Sequence, residues 1–145
     1  MQSGTVASNG IELFYESRGP ENGEPIVFVM GLSAQMVFWP EPLLDTLVDR
    51  GYRVIRFDNR DIGLSSHLKD RLKGHPMAVM AKARMGLSIP APYTLHDMAA
   101  DVCGVMDALG LSSSHMVGVS MGGMITQLVA ATWPERVRSA TLIMT

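Results

Sequence analysis

Gly118-Val119-Ser120-Met121-Gly122-Gly123, "GVSMGG", is the stretch on which the reading of this chain turns. The apolar run "HMVGV" (His115–Val119) leads into it, and an amphipathic helical pattern from Met121 to Trp133 leaves it. Residues 118–122 match G-x-S-x-G, the pattern of a serine set on a sharp strand-to-helix turn. A chain that reverses within one residue strains the φ/ψ of that serine, and side chains two positions to either side would clash, so glycine stands there. The helix start also leaves backbone N–H groups without intrahelical acceptors, free to meet negative charge developing at the serine. Such a pentapeptide arises by chance in many sequences, and the plain alternative is a glycine-rich turn with an ordinary N-cap serine. The strand before and the helix after favour the nucleophile.

Working outward, the pattern repeats. "PIVFVM" (Pro25–Met30), "YRVIRF" (Tyr52–Phe57) and "SATLIM" (Ser139–Met144) are continuous apolar, β-favouring runs, as strands covered on both faces require. Helical spacing fills the gaps. Pro42 to Arg50 carries Leu43, Leu44, Leu47 and Val48, and Gly51 stops it. Thr94 to Leu109 opens on a T-x-x-D capping box, Thr94 with Asp97, and closes on Gly110. At the start of the chain, Asn9-Gly10 separates two strand-like runs and predicts a two-residue hairpin. Alternating strands and helices imply right-handed crossovers. The fold class is therefore α/β: a mostly parallel sheet with an N-terminal antiparallel hairpin at one edge. The connection from Ser66 to Pro92 fits least well; it holds His75-Pro76, Pro90 and Pro92, and a short Met/Ala-rich helix is expected between Met77 and Met85.

The totals narrow the class. A chain of 145 residues, 47% apolar and 18% charged, is long enough for one domain with a real core. A net charge of −2 with scattered basic residues gives no footprint for nucleic acid or an anionic membrane. Cys103 is the single cysteine, so neither an intrachain disulfide nor a thiolate metal cluster forms; it reads as a buried structural thiol. "MQSGTVASNG" has no basic and apolar regions of a signal peptide, and no run nears the roughly 20 apolar residues of a bilayer span. The expected location is cytoplasmic. No G-x-G-x-x-G follows the first parallel strand, which counts against dinucleotide binding.

Four stretches together resemble the N-terminal half of an α/β-hydrolase-fold protein, from about Asn9 to the last residue: "PIVFVMGLSAQMVFW", "GYRVIRFDNRDIGLSS", "YTLHDMAADVCGVMDALGL" and "HMVGVSMGGMITQLVAATWPERVRSATLIMT". They look most like the esterase-type subgroup that includes aclacinomycin methylesterase-like proteins. The resemblance implies that Ser120 is the nucleophile, with the backbone N–H groups of Met121 and Leu32 as oxyanion donors. It implies no cofactor and no metal. Where the family commonly has His-Gly, this chain has Met30-Gly31; that histidine supports the loop and is not the base, so the reaction class is unaffected. Gly31, Met36, Trp39 and Met124 are the expected substrate contacts, with Phe38 nearby, although methionines and aromatics near a sheet usually pack into the core.

A serine hydroxyl needs a base, and the base needs an orienting carboxylate. In this fold the order is Ser, then Asp or Glu, then His. All four histidines, His67, His75, His96 and His115, precede Ser120, and Glu135 is the sole acid after it. Each histidine has a plainer role: His115 at the far end of its strand, His96 in a capped helical turn, His67 and His75 solvated. Asp58, Arg60 and Asp61 read as ties within their turn. "SATLIMT" is apolar on both faces and yet would be an edge, which native sheets avoid or cover. The expectation is an α/β-hydrolase-like sheet truncated after its sixth strand: residues 1–145 form the N-terminal half of a catalytic domain, without cap and C-terminal strands. The leading reading is a serine hydrolase for small carboxylic esters. The alternatives are an acyltransferase, thioesterase or haloperoxidase on the same scaffold, or a catalytically silent half-domain. Such a half would pair through the exposed edge with its own copy or with a C-terminal half.

Overall fold

Asn9 and Gly10 turn the chain at its start with φ of 47° and 79°, the positive values that a two-residue hairpin loop demands. In the computed structural model, which describes residues 1–68, 77, 81–82, 84–87 and 91–145, this loop joins β1 (Gln2–Ser8) to β2 (Ile11–Arg18). β3 (Glu24–Val29), α1 (Glu41–Asp49) and β4 (Tyr52–Phe57) follow. Beyond the long connection come α2 (Leu95–Ala108), β5 (Ser114–Val119), α3 (Met121–Thr132) and β6 (Val137–Ile143). Element ends lie within two residues of the sequence expectations, the usual scatter of helix and strand termini. The helix expected between Met77 and Met85 falls partly outside the described residues; Met77, Ala81, Lys82 and Arg84 are helical, whereas His75, Pro76 and Pro90 lie outside them.

The six strands form one sheet in the order β1-β2-β4-β3-β5-β6. β1 with β2, and β2 with β4, are antiparallel; the pairings of β3 with β4, β3 with β5 and β5 with β6 are parallel. This order places the site. The chain leaving β3 travels to β4 on one side, while the chain leaving β5 travels to β6 on the other. The carboxyl ends of β3 and β5 therefore flank a crevice where the connections diverge, the habitual ligand position in an open α/β sheet. The Gly31 loop leaves one strand there, and Ser120 leaves the other.

Side chains of β3 alternate between two cores. Val27 and Val29 join Met98, Val102, Met106, Ile125 and Val129 of α2 and α3, all buried. Ile26 and Phe28 point the other way, toward Leu44 of α1 and Trp39, whose ring meets Phe28 edge-on at 4.8 Å. Both faces of the central strands are covered, which is why they read as unbroken apolar runs. β6 differs: Val137 is half-buried and every residue from Arg138 to Ile143 is exposed. Among the described residues no helix is long and apolar enough to cross a membrane.

Candidate active site

Ser120 ends β5 and begins α3 with φ 53° and ψ −122°, the strained geometry that G-x-S-x-G predicts. Its N–H donates to the Ile143 carbonyl at 2.8 Å, and its own carbonyl accepts from the Gly123 and Met124 N–H groups at 2.9 and 3.2 Å. A Cβ on Gly122 would fall inside the Val29 carbonyl, and one on Gly118 would press on the Gly122 carbonyl and Thr126 Oγ1. Glycine at both positions lets α3 rest directly on the strand ends. The Ser120 side chain is left exposed at the rim.

The Gly31 loop lies against this turn. A Cβ on Gly31 would stand 3.2 Å from the Val119 carbonyl and 3.3 Å from Ser120 Cβ. Ser33, two residues on, also has positive φ, 58°. Leu32 and Met121, the residues expected to donate to an oxyanion, both line one cleft of about 430 Å³. Its farther wall comes from Arg60, Tyr93, Pro92 and Met98.

That wall is built on a buried ion pair. Arg60 Nε and Nη2 donate to Asp101 Oδ2 and Oδ1, each at 2.6 Å, with both side chains over nine-tenths buried. The guanidinium also lies 4.9 Å from the centre of the Tyr93 ring. Burial works against the Arg60 charge, but the Asp101 hydrogen bonds and charge outweigh it and hold the pKa above its ordinary value. The sequence reading kept Arg60 within its own turn; its partner is on α2, so the pair ties the turn to that helix. Asp61 acts inside the turn, its Oδ1 accepting from the Leu68 N–H; Asp58 does so through Oδ2, which accepts from the Leu64 N–H, and also reaches out of it, its Oδ1 accepting from the Met36 N–H.

The other expected contacts sit elsewhere. Met36 and Trp39 are buried on the α1 side, Trp39 within the Phe28 cluster, and Met124 is exposed on α3; none of these three lines the cleft. The loop after β3 turns inward once it passes Gln35, and the Met36 N–H there donates to Asp58 Oδ1 at 2.8 Å. Sequence reasoning passed over Asn59, Tyr93 and Asp101. Tyr93 and Asp101 sit at the start of and within the capped helix, and "ADV" inside an apolar helical face was the available signal for Asp101.

The described histidines are engaged away from the turn or exposed. His115 Nδ1 is 2.7 Å from Ser139 Oγ and its Nε2 3.3 Å from Glu24 Oε1, at the far end of β5. Five residue steps along the strand separate it from Ser120, roughly 16 Å. His67 Nε2 lies 3.2 Å from the Gly63 carbonyl, and His96 is exposed in the first turn of α2.

Comparison with known proteins gives the family of the chain. Residues 24–145 match the model of the alpha/beta hydrolase fold family. The chain is 28% identical over 144 residues to rhodomycin D methylesterase DnrP of Streptomyces peucetius, a match covering 99% of this chain and 42% of that protein. It is 34% identical over 145 residues to a non-heme chloroperoxidase of Streptomyces lividans, covering 97% and 44% respectively. The crystal structure of the enol-lactonase from Burkholderia xenovorans LB400 superposes with a TM-score of 0.75 at 28% identity, over 94% of this chain and 45% of that one. The chain spans about two fifths of the length of the curated relatives it matches. With the strand order, the crevice between β3 and β5, and the strained serine at its edge, these matches place the chain in the alpha/beta hydrolase fold family.

Proposed function

We propose that Ser120 is the nucleophile of a serine hydrolase acting on small carboxylic esters. The observation that carries this reading is the backbone of Ser120, held at φ 53° and ψ −122° at the start of α3 with the Gly31 loop in contact. A residue with a side chain normally pairs positive φ with ψ of about +45°; φ 53° with ψ −122° lies outside that region and suits a nucleophile that must stand clear of its own strand. Ser120 Oγ attacks the ester carbonyl, and the Leu32 and Met121 N–H groups hold the tetrahedral oxyanion. One such donor typically contributes about 3 kcal/mol. The alcohol leaves with a proton returned by the base, and water then releases the acid from acyl-Ser120. The base and its orienting carboxylate come from a part of the whole protein that residues 1–145 do not include. Gly31 lets the loop lie close against Ser120. Methyl-ester and lactone chemistry in the names of two relatives supports ester substrates, and the chloroperoxidase among the relatives keeps a haloperoxidase as the alternative on this scaffold. The reading calls for no cofactor and no metal.

The exposed β6 edge favours a second statement. Residues 1–145 by themselves are catalytically silent, and the edge is where a C-terminal half, or failing that a second copy, adds its strand. Hydrolysis of p-nitrophenyl acetate tests both. In the full-length gene product, Ser120→Ala lowers kcat by about 10³-fold or more, the scale seen when a nucleophile is lost, and residues 1–145 alone show no Ser120-dependent turnover. Unchanged kcat in the full-length Ser120→Ala protein removes the nucleophile from this reading.

A further inference from the structure

An oxyanion donor works only if its N–H is already aimed when charge develops, because any reorganisation then adds to the barrier. The loop that carries Leu32 has little of its own to aim it with. Residues 30–35 form neither helix nor strand, Leu32 is 73% exposed, and the one internal backbone bond joins the Ala34 N–H to the Gly31 carbonyl at 3.4 Å. Gly31, immediately before the donor, lacks the Cβ that restricts φ/ψ in other residues, so rotation there would swing the Leu32 N–H.

The restraint comes from outside, from the end of β4. Asn59 Nδ2 donates to the Met30 carbonyl at 2.9 Å, just before Gly31. Asp58 Oδ1 accepts from the Met36 N–H at 2.8 Å, just after the irregular segment. Asn59 and Asp58 are each 3% exposed, and their own positions are fixed. The Asp58 carbonyl accepts from Ser65 Oγ at 2.6 Å, the Asn59 carbonyl accepts from the Ile62 N–H at 3.1 Å, and the next residue is Arg60 in its ion pair. The Met30 carbonyl also borders Gly122 at the start of α3, so this one oxygen sits between the loop and the serine turn.

We infer that Asn59 is a positioning residue for the oxyanion loop: with Asp58 holding the other end, its amide pins the Met30 carbonyl and so directs the Leu32 N–H toward Ser120. This rests on the reading of Ser120 and Leu32 given above. Asn59 also borders the cleft, and its amide Nδ2 is engaged by the Met30 carbonyl. It acts through the Met30–Gly31 peptide, and a misplacement of about 1 Å in such a donor is enough for a 10²-fold loss of rate.

The test uses the full-length gene product with Asn59→Asp, which keeps the shape but sets a carboxylate against the carbonyl, and Asn59→Ala, which removes the donor without adding charge. Val102→Ala, which truncates a buried side chain of the α2 core and leaves the Asn59 hydrogen bond in place, is the control for lost stability. Thermal midpoints, kcat and KM for p-nitrophenyl acetate, and the affinity of an alkylboronic acid that forms a tetrahedral adduct on serine are measured for each. The expected result is a kcat lower by 10- to 100-fold in both Asn59 variants, KM within 3-fold, and boronate affinity falling in parallel with kcat. Val102→Ala keeps its kcat within 3-fold. Asn59 variants with kcat within 2-fold of wild type overturn the inference, as does an equal kcat loss in Val102→Ala at a matched drop in thermal midpoint. A wild-type enzyme that neither binds the boronate nor reacts with a fluorophosphonate removes the nucleophile reading instead, an outcome distinct from both.

Discussion

Ser120 is where local energy and the proposed function meet. A residue held in such a sparsely populated backbone region costs on the order of 1–3 kcal/mol, which its surroundings must offset. The Ile143 carbonyl, the first turn of α3 and the close seat on Val29 do so. Gly122→Ala drives a Cβ into the Val29 carbonyl and is expected to lower unfolding free energy by about 1–3 kcal/mol, the usual cost of overpacking. Urea titration of the mutant measures it, and a loss under 0.3 kcal/mol contradicts the close packing. The serine turn was legible in the sequence because its residue types, their spacing and the flanking periodicities all point one way. Asn59 was not, since its partner is a main-chain carbonyl 29 residues away and no side-chain spacing marks such a bond. Met36 and Trp39 sit close to the loop in sequence, but proximity along the chain does not say which face of the sheet a residue enters.

Among the elements, α2 shows how local chemistry and tertiary role combine. Its start is a complete capping box: Thr94 Oγ1 accepts from the Asp97 N–H at 3.3 Å, and Asp97 Oδ2 accepts from the Thr94 N–H at 2.7 Å. That backbone bond, then the Thr94 hydroxyl, lowers the Asp97 pKa below its ordinary value of 3.8. A depressed folded-state pKa means stability that is fully present above about pH 4 and lost as pH falls through the lowered value. Asp97→Asn is therefore expected to destabilise by about 1 kcal/mol at pH 7, the scale of a cap, with the difference from wild type shrinking toward pH 2. Denaturation midpoints at the two pH values decide it; a difference that grows at low pH contradicts the assignment. The box was visible in the sequence as T-x-x-D. What α2 supports was not: Asp101 reaches Arg60 across the fold, and through it Tyr93 and the cleft wall.

For the molecule as a whole, strand order carries the functional reading. Continuous apolar runs separated by helices fix a parallel sheet, but they leave open which strand lies beside which; that is settled when α1 covers one face and α2 and α3 the other. The resulting order sets β3 and β5 side by side with their outgoing loops facing. At the other end of the order, β6 presents Leu142 and Ile143, 41% and 37% exposed, along an unpaired edge. Residues 1–145 expressed alone are expected to self-associate at micromolar concentration, and Leu142→Lys to reduce this, because charge on an edge strand blocks strand addition. Size-exclusion chromatography coupled to light scattering reads both, and a monodisperse monomer for the unmodified chain contradicts the exposed edge. The central claim is that Ser120 is the nucleophile, and peptide-mapped mass spectrometry of the full-length gene product after fluorophosphonate treatment tests it most directly. The account predicts one stoichiometric adduct, on Ser120, absent in Ser120→Ala; an adduct on another residue, with Ser120 unmodified, would contradict it.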